Sequence, residues 1–140
     1  MSAKYFLDTN VFVYSFDASA VKKRKVALEL IHRALAEGQG IISWQVVQEF
    51  LNVATTKFEV PLSSSDCERY IDQVLAPMCE VYPSMTLYKS GLSIHEATKY
   101  GYYDSLIIAA ALEAGCSTLF SEDLQAGRTF FGLTIENPFS

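Results

Sequence analysis

What this sequence lacks narrows its chemistry before any motif is read. It has only three cysteines, Cys67, Cys79 and Cys116, at wide and irregular gaps. No close pair of cysteine or histidine accompanies them in the spacing that zinc requires. They are expected to be reduced thiols in the core, where unpaired cysteine is usually found. The longest apolar runs, such as residues 106–112, fall far short of the roughly 20 residues that a membrane-spanning helix needs. Lys4 and Asp8 bracket a very short apolar stretch, which is not the sustained segment of a secretory signal. The expectation is a protein that crosses no bilayer and stays in the cytoplasm. There is no glycine-rich phosphate loop, no repeat and no low-complexity linker, and the four prolines are scattered.

What is present fits one compact domain over residues 1–140, since half of the chain is apolar. Tyr5-Phe6-Leu7 suits a buried strand, ended by the polar Asp8-Thr9-Asn10. Between about residues 21 and 37, Val26, Ala27, Leu30, Ile31, Ala34 and Leu35 follow helical spacing, with Gly38 and Gly40 as the stop. Ile41-Ile42 reads as a strand. Ser43 is placed to cap a helix from Gln45 to about Thr56, with Val46, Val47, Phe50, Leu51 and Ala54 inward. Ser65 and Glu68 read as a capping box for a helix reaching Ala76. Glu80-Val81-Tyr82 is a weak strand, and Ser84 opens a helix that Gly101 ends. Asp104 begins a strongly apolar helix closed by Gly115, and Thr118-Leu119-Phe120 and Leu133-Thr134-Ile135 are the last strands. Short apolar strands alternating with helices predict a three-layer α/β/α sandwich around a mainly parallel sheet. Such folds bind ligands at the C-terminal ends of their strands.

Four acids fall where that sheet gathers ligands. Asp8 follows the first strand, Glu49 lies on the helix after the second, Asp104 opens a helix, and Asp123 follows a later strand. Oxygen ligands without thiolates or imidazoles suit Mg²⁺ or Mn²⁺, which assist hydrolysis of phosphodiesters. Each acid also has a plain structural use: Asp8 in a turn, Glu49 on a solvated face, Asp104 as an N-cap, Asp123 capping a turn before Gly127. The net charge of −5 runs against polyanion binding unless these acids hold cations.

Tyr5-Phe6-Leu7-Asp8-Thr9-Asn10, Gln48-Glu49-Phe50, Tyr103-Asp104-Ser105-Leu106-Ile107 and Ser121-Glu122-Asp123-Leu124 resemble, in order, the motifs of PIN-domain nucleases. The likeness is nearest to the single-domain, VapC-type toxins, and residues 132–139 are similar to a tail common in one bacterial branch. It implies a PIN-like fold and a divalent-metal-dependent endoribonuclease, the toxin of a type II toxin–antitoxin pair. Asp8, Glu49, Asp104 and Asp123 then form the catalytic site, with Asp8 and Asp104 favoured as direct metal ligands. Glu49 and Asp123 bind a second ion or orient water. Asn10 and Ser121 support the site by hydrogen bonds, and Glu122 ranks behind Asp123 for its position. The resemblance also implies an RNA substrate, a protein antitoxin and a homodimer.

Two rival readings remain. Asp8 could be the nucleophile of a phosphatase, although such enzymes commonly need a second Asp where Asn10 stands. A catalytically silent module binding RNA or protein is the other, although its expected signature is loss of one or more of the acids. Lys22, Lys23, Arg24 and Lys25 form a basic run that either contacts phosphates or an acidic partner, or is a solvated first helical turn. Trp44, Tyr100, Tyr102 and Tyr103 either stack on bases or pack in the core or an interface. His32 and His95 lack catalytic partners.

Overall fold

Tyr5, Phe6 and Leu7 are 6%, 0% and 0% exposed, so strand β1 (Tyr5–Leu7) has protein on both faces. A parallel sheet makes that demand, because its crossover helices cover it above and below. The structure is a computed structural model that describes residues 3–140. After β1 come α1 (Thr9–Tyr14), α2 (Val21–Glu37), β2 (Gly40–Ser43) and α3 (Trp44–Thr56). Then follow α4 (Ser64–Tyr70), a π-helical turn (Ile71–Leu75), α5 (Ala76–Met78) and β3 (Cys79–Val81). The chain ends with α6 (Met85–Thr98), α7 (Tyr102–Glu113), β4 (Thr118–Phe120), β5 (Thr129–Phe130) and β6 (Leu133–Glu136).

The strands form one sheet in the order β3-β2-β1-β4-β6-β5, parallel except for the antiparallel β5. Helices lie on both sides of it, giving the expected mixed α/β architecture. Ile41, Ile42, Leu119, Leu133 and Ile135 form its buried spine. Gly40 belongs to β2 rather than to the helix stop: a Cβ there would lie 2.2 Å from the Ala34 Cβ, so its bareness lets α2 approach the sheet. Gly38, at φ 72°, ends α2 alone.

Several boundaries differ from the sequence reading. The polar Asp8-Thr9-Asn10 ends β1 as expected but also starts α1, a helix not foreseen, held by packing against α2 and α3. Ser63, not Ser65, caps α4, accepting from the Asp66 amide at 3.1 Å. Ser43 stands at the N-cap of α3 without a side-chain cap bond. Lys99 in the left-handed conformation ends α6, two residues before Gly101. Helix α7 starts at Tyr102, so Asp104 lies in its first turn and is not its cap. Val47 and Leu51 are only partly buried, β3 sits one residue earlier than expected, and the two-residue β5 was not foreseen. Cys67 and Cys116 are buried thiols and Cys79 is half-buried, all unpaired. No helix among the described residues is long and apolar enough to cross a membrane.

Candidate active site

From β1 the chain builds outward through β2 to β3, then returns to lay β4 on the other side of β1. That reversal opens a crevice at the C-terminal ends of β1 and β4, where α/β sheets hold ligands. Asp8 and Ser121 are the first residues past those two strands, 7% and 1% exposed. The Ser121 hydroxyl donates to Asp8 Oδ2 at 2.8 Å across the crevice. The Thr9 amide donates to Asp8 Oδ1 at 2.7 Å, so Asp8 also caps α1. Burial nevertheless pushes the Asp8 carboxyl up from 3.8 to about 6, against both hydrogen bonds, and the negative charges of Glu49 and Asp123 push the same way.

Helix α1 carries the next links. Thr9 Oγ1 donates to Glu49 Oε1 on α3 at 2.7 Å, and Asn10 Nδ2 donates to Asp123 Oδ2 at 2.8 Å. Beyond β4 the Ser121 hydroxyl also accepts from the amides of Asp123 and Leu124, at 3.2 and 3.4 Å, which folds that loop back over the crevice. One turn before Glu49, Gln45 Nε2 donates to Glu49 Oε2 at 3.4 Å and to the Tyr103 carbonyl at 3.1 Å. It thereby ties α3 to the first turn of α7, where Asp104 is exposed. Desolvation raises the Asp104 carboxyl, and the charges of Asp123 and Glu49 raise it further. The charges acting on Asp8 and Asp104 are thus all of one sign.

The four acids, with Asn10 and Ser121, therefore meet around one crevice. No three His, Cys, Asp or Glu side chains among the described residues are gathered closely enough to enclose a cation unaided. Glu122 turns away: it accepts from the Tyr14 hydroxyl at 2.9 Å and pairs with Lys23 at 3.1 Å. The basic run is thereby divided, with Lys23 in that clasp, Arg24 donating to the Ser15 carbonyl and Lys22 and Lys25 exposed. His95 contacts the Tyr100 carbonyl through Nδ1, a structural bond, and His32 is exposed on α2. Sequence reasoning missed Thr9 and Gln45 as partners of Glu49. The spacing of four from Gln45 to Glu49 on one helix was the available signal for the second.

The sequence profile described as PIN domain matches residues 5–129. No curated protein sequence matches the chain. Among solved structures, a toxin–antitoxin complex from Klebsiella pneumoniae aligns at a TM-score of 0.68 and 18% identity, over 99% of this chain and 98% of its own. VapBC2 from Rickettsia felis, bound to a DNA fragment from its promoter, aligns at 0.63 and 20%, over 95% and 97%. VapC20 from Mycobacterium tuberculosis, a sarcin–ricin loop cleaving toxin, aligns at 0.56 and 15%, over 86% and 90%. At these identities the likeness is one of fold.

Proposed function

The chain belongs to the PIN-domain family, and from that premise we propose that it is a divalent-cation-dependent endoribonuclease, the toxin of a toxin–antitoxin pair. The observation that carries this reading is the meeting of Asp8, Glu49, Asp104 and Asp123 at the switch-point crevice. Their donor set is oxygen alone, which fits Mg²⁺ or Mn²⁺. The open arrangement fits too, because Mg²⁺ prefers one or two carboxylates, with waters and substrate phosphate completing its shell. Asp8 and Asp104 would be its direct ligands, with Glu49 and Asp123 as further ligands or holders of the attacking water. When bound, the ion supplies Lewis acidity that draws charge from the phosphoryl group and the leaving oxygen.

The surrounding residues hold this constellation. Ser121 and the Thr9 amide fix the two Asp8 oxygens, the Thr9 hydroxyl fixes Glu49, and Asn10 fixes Asp123. Preset ligands need little rearrangement as charge develops in the transition state. Asn10 stands where an Asp-nucleophile phosphatase commonly needs its second Asp, and it is engaged with Asp123, which weighs against Asp8 as the nucleophile of a phosphatase. The toxin–antitoxin neighbours support a protein antitoxin as partner, and the resemblance to VapC-type toxins implies a homodimer.

Incubation of the purified protein with total RNA in Mg²⁺, Mn²⁺ or excess chelator tests the activity. Cleavage is expected with either metal and not with chelator. Identical cleavage in chelator overturns the metal dependence, and hydrolysis of small phosphomonoesters alone restores the phosphatase. Co-purification from the native cell should retrieve a small antitoxin, and light scattering should show a dimer at micromolar concentration.

A further inference from the structure

Tyr103 is 70% exposed, although it stands next to Asp104 in the first turn of α7. Its neighbour Tyr102 behaves differently, packing against α6, where a Cβ at Gly91 would lie 3.5 Å from its ring. The two rings meet edge to face, with centroids 5.9 Å apart and planes at 63°. Tyr102 thus props the ring of Tyr103 from the protein side. The backbone beneath is pinned as well, since Gln45 Nε2 donates to the Tyr103 carbonyl and to Glu49. Both partners of that amide are acceptors, which fixes its orientation and leaves Gln45 Oε1 buried without a donor. A buried polar atom left unpaired is a cost to stability, so the fold holds this link at a disadvantage elsewhere.

Charge says what such a ring is for. The crevice is acidic, the chain carries −5 overall, and Lys23, the cation beside Glu122, is already paired. Of the basic run Lys22 and Lys25 are left for phosphate contacts, the usual source of affinity for nucleic acid, which are therefore few here. Stacking of bases on aromatic side chains is the main alternative, and it requires bases that are not already stacked in a duplex.

We propose that Tyr103 is a nucleobase-stacking residue, on whose ring an unpaired base of the RNA next to the cleaved phosphate rests, with Gln45 and Tyr102 holding it in place. This rests on the reading of the chain as a ribonuclease, and it restricts the substrate to unpaired nucleotides at the cleavage position.

The test is binding of a labelled single-stranded RNA oligonucleotide and of its duplex, in chelator so that no cleavage occurs, by the full chain and its Tyr103 variants. Tyr103→Ala should lose about tenfold in affinity for the single strand, as is usual for one stacked base, and Tyr103→Phe should stay within about twofold of the original. Tyr103→Trp should bind at least as well as the original, and the fluorescence it adds to that of Trp44 should be quenched by the single strand and not by the duplex. In cleavage assays the Tyr103→Ala effect should appear in KM more than in kcat. If the original protein binds the single strand and Tyr103→Ala binds it equally well, the stacking role is wrong while the ribonuclease reading stands. If the original binds neither RNA, with or without Mn²⁺, and cleaves none, the ribonuclease reading itself falls. Equal weakening toward single strand and duplex, or a change only in dimer or partner association, also overturns the proposal by making Tyr103 a general or protein contact.

Discussion

The raised carboxyl of Asp8 gives the metal-free protein a stability that depends on pH in a defined direction. Below 3.8 the group is neutral folded and unfolded, and it contributes no difference. As pH rises toward about 6, the unfolded chain ionises first, so stability falls, and the full cost is present above about 6. A shift of that size corresponds to something on the order of 3 kcal/mol. Asp8→Asn keeps a side-chain oxygen to cap α1 and removes the buried charge. In chelator at neutral pH it should melt higher than the original, with the difference closing toward pH 4, and it should abolish cleavage. A lower melting point at neutral pH would make Asp8 chiefly a cap. Added Mn²⁺ should raise the melting point of the original more than that of the variant, because a ligand is gone. Asp104 is exposed in a first helical turn, where the helix dipole opposes the desolvation and the neighbouring carboxylates that raise its carboxyl. Asp104→Asn should therefore change metal-free stability little, while still blunting the Mn²⁺ shift and abolishing cleavage.

At this scale the acids and two of their holders were legible, and the holders of Glu49 were not. Asp8, Glu49, Asp104 and Asp123 stand in ordered motifs, and Ser121 and Asn10 come with them. Thr9 reaches Glu49 across 40 positions of sequence, and nothing in a one-dimensional pattern marks a threonine hydroxyl as the donor to a particular carboxylate. Glu122 and Asp123 are adjacent acids whose roles are separated by Tyr14 and Lys23, partners contributed by α1 and α2.

Among the elements, the long helices and buried strands followed from periodicity, whereas short pieces that depend on their neighbours escaped it. Helix α1 has six residues, too few to show a period, and exists because it packs on α2 and α3. The cap of α4 tests this level directly. Ser63→Ala should cost about 1 kcal/mol in chemical denaturation, while Ser65→Ala, without a cap bond, should cost a few tenths at most. Gly40→Ala is a sharper case, since the new methyl meets both the Cβ and, at 3.1 Å, the Cα of Ala34. It should destabilise by about 1–3 kcal/mol through overpacking. Combining it with Ala34→Gly should cost less than the two changes summed, and strict additivity would show that the contact is relieved in some other way.

For the whole molecule, the order of the strands has a consequence in time as well as in space. Asp8 and Ser121 are 113 positions apart, and their bond forms only when β4 has docked beside β1. Pairing over such a separation is the slow part of folding. During synthesis the first three strands and α1 to α7 emerge before any of β4 exists, so the growing chain carries Asp8, Glu49 and Asp104 without Ser121 and Asp123, which complete their crevice. On the proposed ribonuclease reading, the nascent chain would thus be unable to cut the message being translated into it until residues 118–123 have left the ribosome. The strand order would then act as a safety catch, released when β4 docks beside β1.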